Sequence, residues 1–211
     1  WSAYDKVSGK EIFYSNRVVK PGLIALRGAW CATGIEWNFP IGHSVSTVSE
    51  VDHVYYENGD GSVTAVVGDL DRTTRMKWTV KVTVKPGEVG FHVDTVLSNP
   101  TGYPHRYMYW ENAGVHATEG LQFISPANVA WTWGGKRPFP AQDGVDKSWY
   151  ISHPRAIDYF MLGLGQDYFG YYDHKLRIGA VHIADYHLMP GKKFFTWGMA
   201  QHAASWQKNL T

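Results

Sequence analysis

The sequence predicts an all-β fold built from antiparallel sheets packed as a sandwich. Three observations support this prediction. Apolar and polar residues alternate with a period of two, turn residues separate the alternating segments, and no segment shows a convincing helical repeat. At 211 residues the chain has the size of one large all-β domain, so we expect a single domain over residues 1–211.

The clearest strand lies within residues 75–84, where apolar residues alternate with Arg, Lys and Thr. One face of this strand is therefore expected in the core, and the predicted core residues are Met76, Trp78, Val80, Val82 and Val84. Residues 85–88 have turn composition, and alternation resumes from Val89 to Leu97. The two segments predict a hairpin.

A second hairpin is predicted from residues 51–56 and 62–67, because Asn58-Gly59-Asp60-Gly61 between them tolerate the backbone of a tight turn. Further short strands are predicted at residues 106–112, 166–174, 179–185 and 193–199. Residues 125–152 are rich in Pro and Gly, so we expect a long ordered loop there.

Composition excludes several classes of partner. With 20 basic and 19 acidic residues, the chain has no charge excess that would attract nucleic acid. No apolar run approaches the roughly 18 residues of a membrane helix, so no membrane association is expected. Cys31 is the one cysteine, which excludes an internal disulfide and leaves the compartment unknown, with the cytoplasm slightly favoured over the periplasm.

The aromatic content favours a carbohydrate ligand. The chain has 10 Trp and 13 Tyr residues, and aromatic rings stack on the apolar faces of sugar rings while polar neighbours bind the hydroxyls. The alternative for any individual Trp is a place in the core.

The densest polar segment runs from Arg27 to His43. Glu36 and Asn38 share one face of a strand and could present an acid and an amide to one ligand, with Arg27 and His43 nearby. The alternative is an ion pair between Arg27 and Glu36 that closes the end of a sheet.

A second polar segment comprises Trp110, Glu111 and Asn112, followed by His116. Alternation places Trp110 and Asn112 on one face of the strand and Glu111 on the other. We expect Arg27, Glu36, Asn38, His43, Trp110 and Asn112 to line one pocket.

No metal site and no cofactor are expected. The histidines in neighbouring predicted strands, His174, His182 and His187, lack the spacing of a metal motif. Glycosidases use two carboxyl groups, and the sequence leaves open which of the candidates would meet: Glu36, Glu111, Asp143 or Asp146.

Four ordered blocks resemble the bacterial family called domain of unknown function 5107. They are Arg27-Gly28-Ala29-Trp30-Cys31, Gly34-Ile35-Glu36-Trp37-Asn38-Phe39-Pro40, Asp71-Arg72 and Gly191-Lys192-Lys193-Phe194-Phe195-Thr196-Trp197-Gly198. The resemblance implies a galactose mutarotase-like antiparallel β-supersandwich, which this chain would hold in a form incomplete at its ends. It also implies a longer multidomain protein with helical repeats downstream.

In mutarotases of that fold a central strand carries a catalytic His, and a late Glu removes the anomeric proton. The comparable strand here carries Trp110, Glu111 and Asn112 instead, which argues against mutarotase chemistry. The resemblance places the late carboxylate beyond Thr211.

Taken together, these features predict that the domain binds a sugar or glycan in a cleft on a concave sheet and acts as a glycoside hydrolase or related enzyme. Glu36 or Glu111 would be the proton donor, and the predicted ligand-binding residues are Arg27, Asn38, His43, Trp110, Asn112, His116 and Trp197. The alternatives are a non-catalytic carbohydrate-binding module and a structural domain.

Overall fold

The computed structural model describes residues 2–15, 34–43, 45–163 and 165–199. The chain divides into two compact units: unit 1 comprises Trp1–Ser15 with Gly114–Thr211, and unit 2 comprises Asn16–Ala113. Over the described residues the sheets are antiparallel and there is no α-helix, which confirms the predicted all-β class. Within the same residues, no helical segment is long and apolar enough to span a bilayer.

Unit 2 contains a four-stranded antiparallel meander. Its strands pair in chain order and are β4 (Asp52–Glu57), β5 (Val63–Leu70), β6 (Lys77–Val84) and β7 (His92–Ser98). Both predicted hairpins are confirmed, because β4 pairs with β5 and β6 pairs with β7. Gly61 and Gly87 lie in the two turns with φ near +78°, a conformation that residues with a Cβ rarely adopt.

The predicted core face of the strand at residues 75–84 is confirmed at Met76 and Val80, whereas Trp78 and Val82 are half-buried. Met76 and Val80 are 4% and 1% exposed, whereas Lys77 on the other face is exposed. The prediction is wrong for Val84, which is 52% exposed, and the second strand does not begin at Val89, which is fully exposed. Both lie at the tip of the β6–β7 hairpin, and β7 begins only at His92.

A separate two-stranded sheet in unit 2 pairs β3 (Ile35–Asn38) with β8 (Trp110–Ala113). The predicted strand at residues 106–112 therefore begins later than expected. Residues before Trp110 follow an irregular path in which the Met108 amide donates to the Pro40 carbonyl at 2.7 Å.

Unit 1 contains two larger sheets. In spatial order, the first holds β11 (Gly135–Pro138), β10 (Val129–Thr132), β14 (Ile157–Leu162) and β17 (Lys192–Thr196). The second holds β16 (Ile178–Ile183), β15 (Tyr168–Asp173) and β9 (Leu121–Ile124). Two small ribbons complete the unit: β1 (Tyr4–Asp5) with β2 (Lys10–Glu11), and β12 (Ala141–Gln142) with β13 (Val145–Asp146).

The hydrophobic core of unit 1 joins its two larger sheets. Phe123 on β9 and Phe194 on β17 stack with ring centroids 3.9 Å apart. The cluster also includes buried residues of β15, β10 and β14, which makes this unit a two-layer sandwich. Tyr171 belongs to this core, and burial raises the pKa of its hydroxyl to about 12.

The prediction of a long loop at residues 125–152 is wrong. The segment contains β10, β11, β12 and β13; Gly134 and Gly144 lie in the turns that join these short strands, and Gly135 is the first residue of β11. Gly135 and Gly144 have φ of +97° and +78°. The Gly content of this segment therefore reflects hairpin turns rather than an extended loop.

His153 is a buried polar residue of unit 1 at 2% exposure. Its Nε2 donates to the Lys147 carbonyl at 2.9 Å, and its ring packs against Tyr159 and Phe194. Burial lowers the pKa of this imidazole to about 4, because the protonated ring would lose its hydration.

Val80 and Val84 provide a matched test of the core, since both lie on the same face of β6. Val80→Ala should lower the free energy of unfolding by about 2 kcal/mol, because it leaves a cavity among buried residues. Val84→Ala should change it by less than about 0.5 kcal/mol, because that side chain is exposed. Urea denaturation measures both, and equal effects would contradict the assigned core.

The low pKa of His153 predicts acid sensitivity. The unfolded chain binds a proton near pH 6.5, whereas the folded chain binds it only near pH 4. Stability from the neutral ring is therefore fully present above pH 6.5 and is lost as the pH falls towards 4, by about 3 kcal/mol in total. Urea denaturation as a function of pH should show this loss.

The variant His153→Gln should show a flatter stability profile between pH 6.5 and 4 than the wild type. A matched His182→Gln variant, at an exposed position, should retain the wild-type slope. Identical slopes in all three proteins would show that His153 is not the responsible group.

Candidate functional site

Strand pairing in unit 2 places four predicted site residues on one sheet face. Glu36 lies opposite Asn112, and Asn38 lies opposite Trp110. Because directly opposed residues of antiparallel strands project to the same side, all four side chains share one face of the β3–β8 pair.

His43 and Thr47 add to this group. The His43 Nδ1 donates to Glu36 Oε1 at 2.8 Å, and the Thr47 hydroxyl lies 3.4 Å from the same oxygen. The imidazole ring lies beside the Trp110 indole, with centroids 5.8 Å apart and planes tilted by 48°. We call Glu36, Asn38, His43, Thr47, Trp110 and Asn112 the Glu36 cluster.

The Glu36 cluster is mostly shielded from water. The side chains of His43 and Glu36 are 15% and 12% exposed. Asn38 is 3% exposed, and its Nδ2 has no hydrogen-bond partner among the described residues. A buried amide donor without an acceptor is unfavourable, so this group costs stability as it stands.

The opposite face of the β3–β8 pair carries Glu111, which lies opposite Trp37. The Tyr109 hydroxyl donates to Glu111 Oε1 at 2.5 Å and also lies 2.9 Å from Thr95 Oγ1. Burial, and then the hydrogen bond to Glu111, raise the pKa of Tyr109 well above its ordinary value. The two predicted proton donors, Glu36 and Glu111, therefore lie on opposite sides of one sheet.

The remaining predicted site residues are Arg27, His116 and Trp197. Arg27 is outside the described residues. His116 and Trp197 belong to unit 1, where His116 contacts Tyr14 with ring centroids 5.8 Å apart. The Trp197 ring contacts Phe195 edge to face at 4.7 Å. Of the six residues expected in one pocket, the described structure brings together five: Glu36, Asn38, His43, Trp110 and Asn112.

Two cavities lie in unit 2. The first, of about 440 Å³, is polar and is lined by Glu50, Val51, Asp52, His53, Asp69 and Arg72. The second, of about 180 Å³, is lined by Phe39, Met76, Leu97, Ser98, Asn99, His105 and Tyr107. Neither lining includes a residue of the Glu36 cluster. Phe39, which follows Asn38 in the chain, contacts the Tyr107 ring across the second cavity's lining.

In the described part of the chain, no group of three or more His, Cys, Asp or Glu side chains is placed to hold a metal ion. His174 instead bonds to Gln122, with Nε2 lying 3.0 Å from Oε1.

Sequence reasoning missed Thr47. It lies in a short 3-10 turn, Val45–Val48, which brings its hydroxyl back to Glu36. No alternation marks such a turn, so the available signal was only its closeness to His43 in the chain.

Comparisons with known proteins identify a family and a similar solved structure. A family model described as a domain of unknown function (DUF5107) matches residues 1–211. The crystal structure of a TPR-domain containing protein from Parabacteroides distasonis ATCC 8503 at 2.26 Å resolution superposes with a TM-score of 0.84 and 26% identity. The match covers 97% of this chain and 35% of that chain, so the present chain spans about a third of that protein.

The shielded pair of Glu36 and His43 should be energetically coupled. A double-mutant cycle with Glu36→Gln and His43→Ala should give a coupling energy of about 1–3 kcal/mol in urea denaturation, since each group satisfies the other away from water.

Glu88 and His92 form a matched control, because their atoms are 2.7 Å apart but their side chains are 49% and 55% exposed. The same cycle there should give no measurable coupling. Similar coupling in both pairs would show that shielding does not strengthen the Glu36–His43 contact.

Proposed function

Because the chain belongs to the domain of unknown function 5107 family, whose description names no reaction, we propose a function from the Glu36 cluster. The domain binds a carbohydrate on the face of the β3–β8 pair that carries Glu36. The galactose mutarotase-like supersandwich, a fold used by sugar enzymes, is compatible with the antiparallel sheets observed.

The observation that carries this proposal is the mixture of groups on one face. The cluster combines an indole ring, two side-chain amides and a carboxylate bonded to an imidazole. An indole provides an apolar surface for a sugar ring, and the amides and the carboxylate provide donors and acceptors for its hydroxyls. Trp110 is the stacking residue in this proposal, and Asn38 and Asn112 bind hydroxyls.

Glu36 is the proton donor in the catalytic form of the proposal. A general acid gives its proton to the leaving oxygen of the sugar and must then regain one, and the imidazole N–H that donates to Glu36 Oε1 at 2.8 Å is the group that can return it. The Thr47 hydroxyl near the same oxygen helps to fix the carboxylate. This arrangement supports glycoside cleavage, or a related proton transfer on a sugar, as the reaction class.

A non-catalytic binding module is the second candidate, and one observation favours it. Glycosidases usually place two carboxyl groups about 5–9.5 Å apart across the bond that is cleaved. The β3–β8 pair directs Glu36 and Glu111 to opposite faces, so it supplies one carboxylate to the Glu36 cluster.

The solved relative supports a modular organisation. It is described as a TPR-domain containing protein, and the present chain matches 35% of it. By analogy, we propose that the sugar-binding domain works beside helical repeats of the same polypeptide.

A glycan array followed by calorimetry and mass spectrometry tests the proposal with Glu36→Gln and Trp110→Ala. Trp110→Ala should weaken sugar binding about tenfold or more, since the stacking surface is lost. Glu36→Gln should lower turnover by at least about a hundredfold while binding changes little, because the amide cannot donate the acid proton.

Glu111→Gln is the matched control, because it makes the same change on the opposite face of the same strand pair. It should leave both binding and turnover intact. Loss of turnover in Glu111→Gln alone would move the reaction to the other face. Sugar binding that Trp110→Ala weakens, without turnover in the wild type, would assign the binding module. An absence of sugar binding, or sugar binding that Trp110→Ala leaves unchanged, would reject the proposal.

A further inference from the structure

The outer face of the four-stranded sheet in unit 1 carries a row of large side chains. Trp131 on β10 lies opposite Phe160 on β14, and Phe160 lies opposite Lys193 on β17. Two residues further along the same strands, Asp158 lies opposite Phe195. These side chains project away from the core of unit 1, because their neighbours along each strand, Ala130, Tyr159 and Phe194, are buried in it.

Several aromatic rings on this face are open to solvent. Trp133 is 79% exposed, Trp131 is 51% exposed and Phe195 is 42% exposed. The Trp197 ring contacts Phe195 edge to face. We call the rings of Trp131, Trp133, Phe160, Phe195 and Trp197 the aromatic platform.

Trp133 is held in place although it is exposed. Its Nε1 donates to Asp158 Oδ2 at 2.6 Å, and its ring meets Phe160 edge to face at 6.0 Å. Lys193 Nζ lies 2.8 Å from the other oxygen of Asp158 and 5.1 Å from the centre of the Phe160 ring. The indole is thus anchored through Nε1 while most of the residue remains exposed, so a sugar can stack on it at little further entropic cost.

We propose that the aromatic platform binds a glycan chain and forms a second carbohydrate site, separate in its residues from the Glu36 cluster. Flat indole faces suit sugar rings, and the Asp158–Lys193 pair between the rings suits their hydroxyls. Neighbouring strands are about 4.8 Å apart, a spacing similar to the length of one sugar ring, so successive rings can contact successive sugars.

The chemistry of the face favours a glycan over a protein partner. A stable protein interface buries about 800 Å² on each partner and has an apolar centre. Here the centre is occupied by the ion pair of Asp158 and Lys193.

Affinity electrophoresis of the full chain tests this site, with gels that contain soluble β-glucan, xylan, galactomannan or starch. The wild type should be retarded by at least one of these polysaccharides. Trp133→Ala and Trp131→Ala should each weaken binding about tenfold, and Trp133→Phe should retain most of it, since a flat ring remains. Thermal melts confirm that each variant is folded.

Tyr55→Ala in unit 2 is the matched control, because Tyr55 is 78% exposed and therefore resembles Trp133 in accessibility. Its retardation should equal that of the wild type. Trp110→Ala separates this proposal from the previous one, because retardation that depends on the platform is lost in Trp133→Ala and kept in Trp110→Ala, whereas retardation that depends on the Glu36 cluster shows the reverse.

Three results would overturn the platform. The first is that none of the four polysaccharides retards the wild type. The second is that retardation is lost in Trp110→Ala but not in Trp133→Ala or Trp131→Ala. The third is that the wild type is a dimer in size-exclusion chromatography and that Trp133→Ala dissociates it. The last result would assign the face to a second copy of this chain.

Discussion

Strand register is the constraint on which the chemistry of this protein depends. A strand has a period of two, so each residue faces one side of its sheet, and a slip of one position would exchange the faces. In the β3–β8 pair the observed register opposes Glu36 to Asn112 and Asn38 to Trp110. A slip of either strand would separate the carboxylate from the amide and the indole on its face.

The same constraint separates core from surface in unit 1. Tyr159 and Phe194 enter the buried core, while Phe160 and Lys193, the next residues along β14 and β17, lie on the outer face. The register that fills the core therefore also aligns the exposed aromatic rings. Because both faces depend on one pairing, the platform cannot be rearranged without disturbing the core behind it.

The sequence allows prediction where a signal is local. Alternation within residues 75–84 predicts both the strand and its buried face, and Asn58 to Gly61 predict a hairpin, because these signals lie within a few residues. Residues 125–152 were predicted wrongly because Gly and Pro mark turns without showing how close together the turns are. Alternation also indicates that Glu36 shares a face with Asn38, but the pairing of β3 with a distant strand depends on tertiary contacts. The contact of His43 with Glu36 is likewise not predicted by alternation, because the chain between them forms an irregular turn.

The low exposure of the Glu36–His43 pair is more informative than the distance between its two atoms. Glu88 and His92 approach within 2.7 Å on an exposed surface, where water solvates both groups at little cost. Glu36 and His43 make a contact of 2.8 Å with 12% and 15% of their side chains exposed, so both have lost much of their hydration. Such a pair often contributes no more to stability than apolar side chains of the same volume. Stability alone therefore does not account for its position beside Trp110 and Asn112, whereas the proposed binding of a sugar would, because a sugar hydroxyl would restore part of the lost hydration.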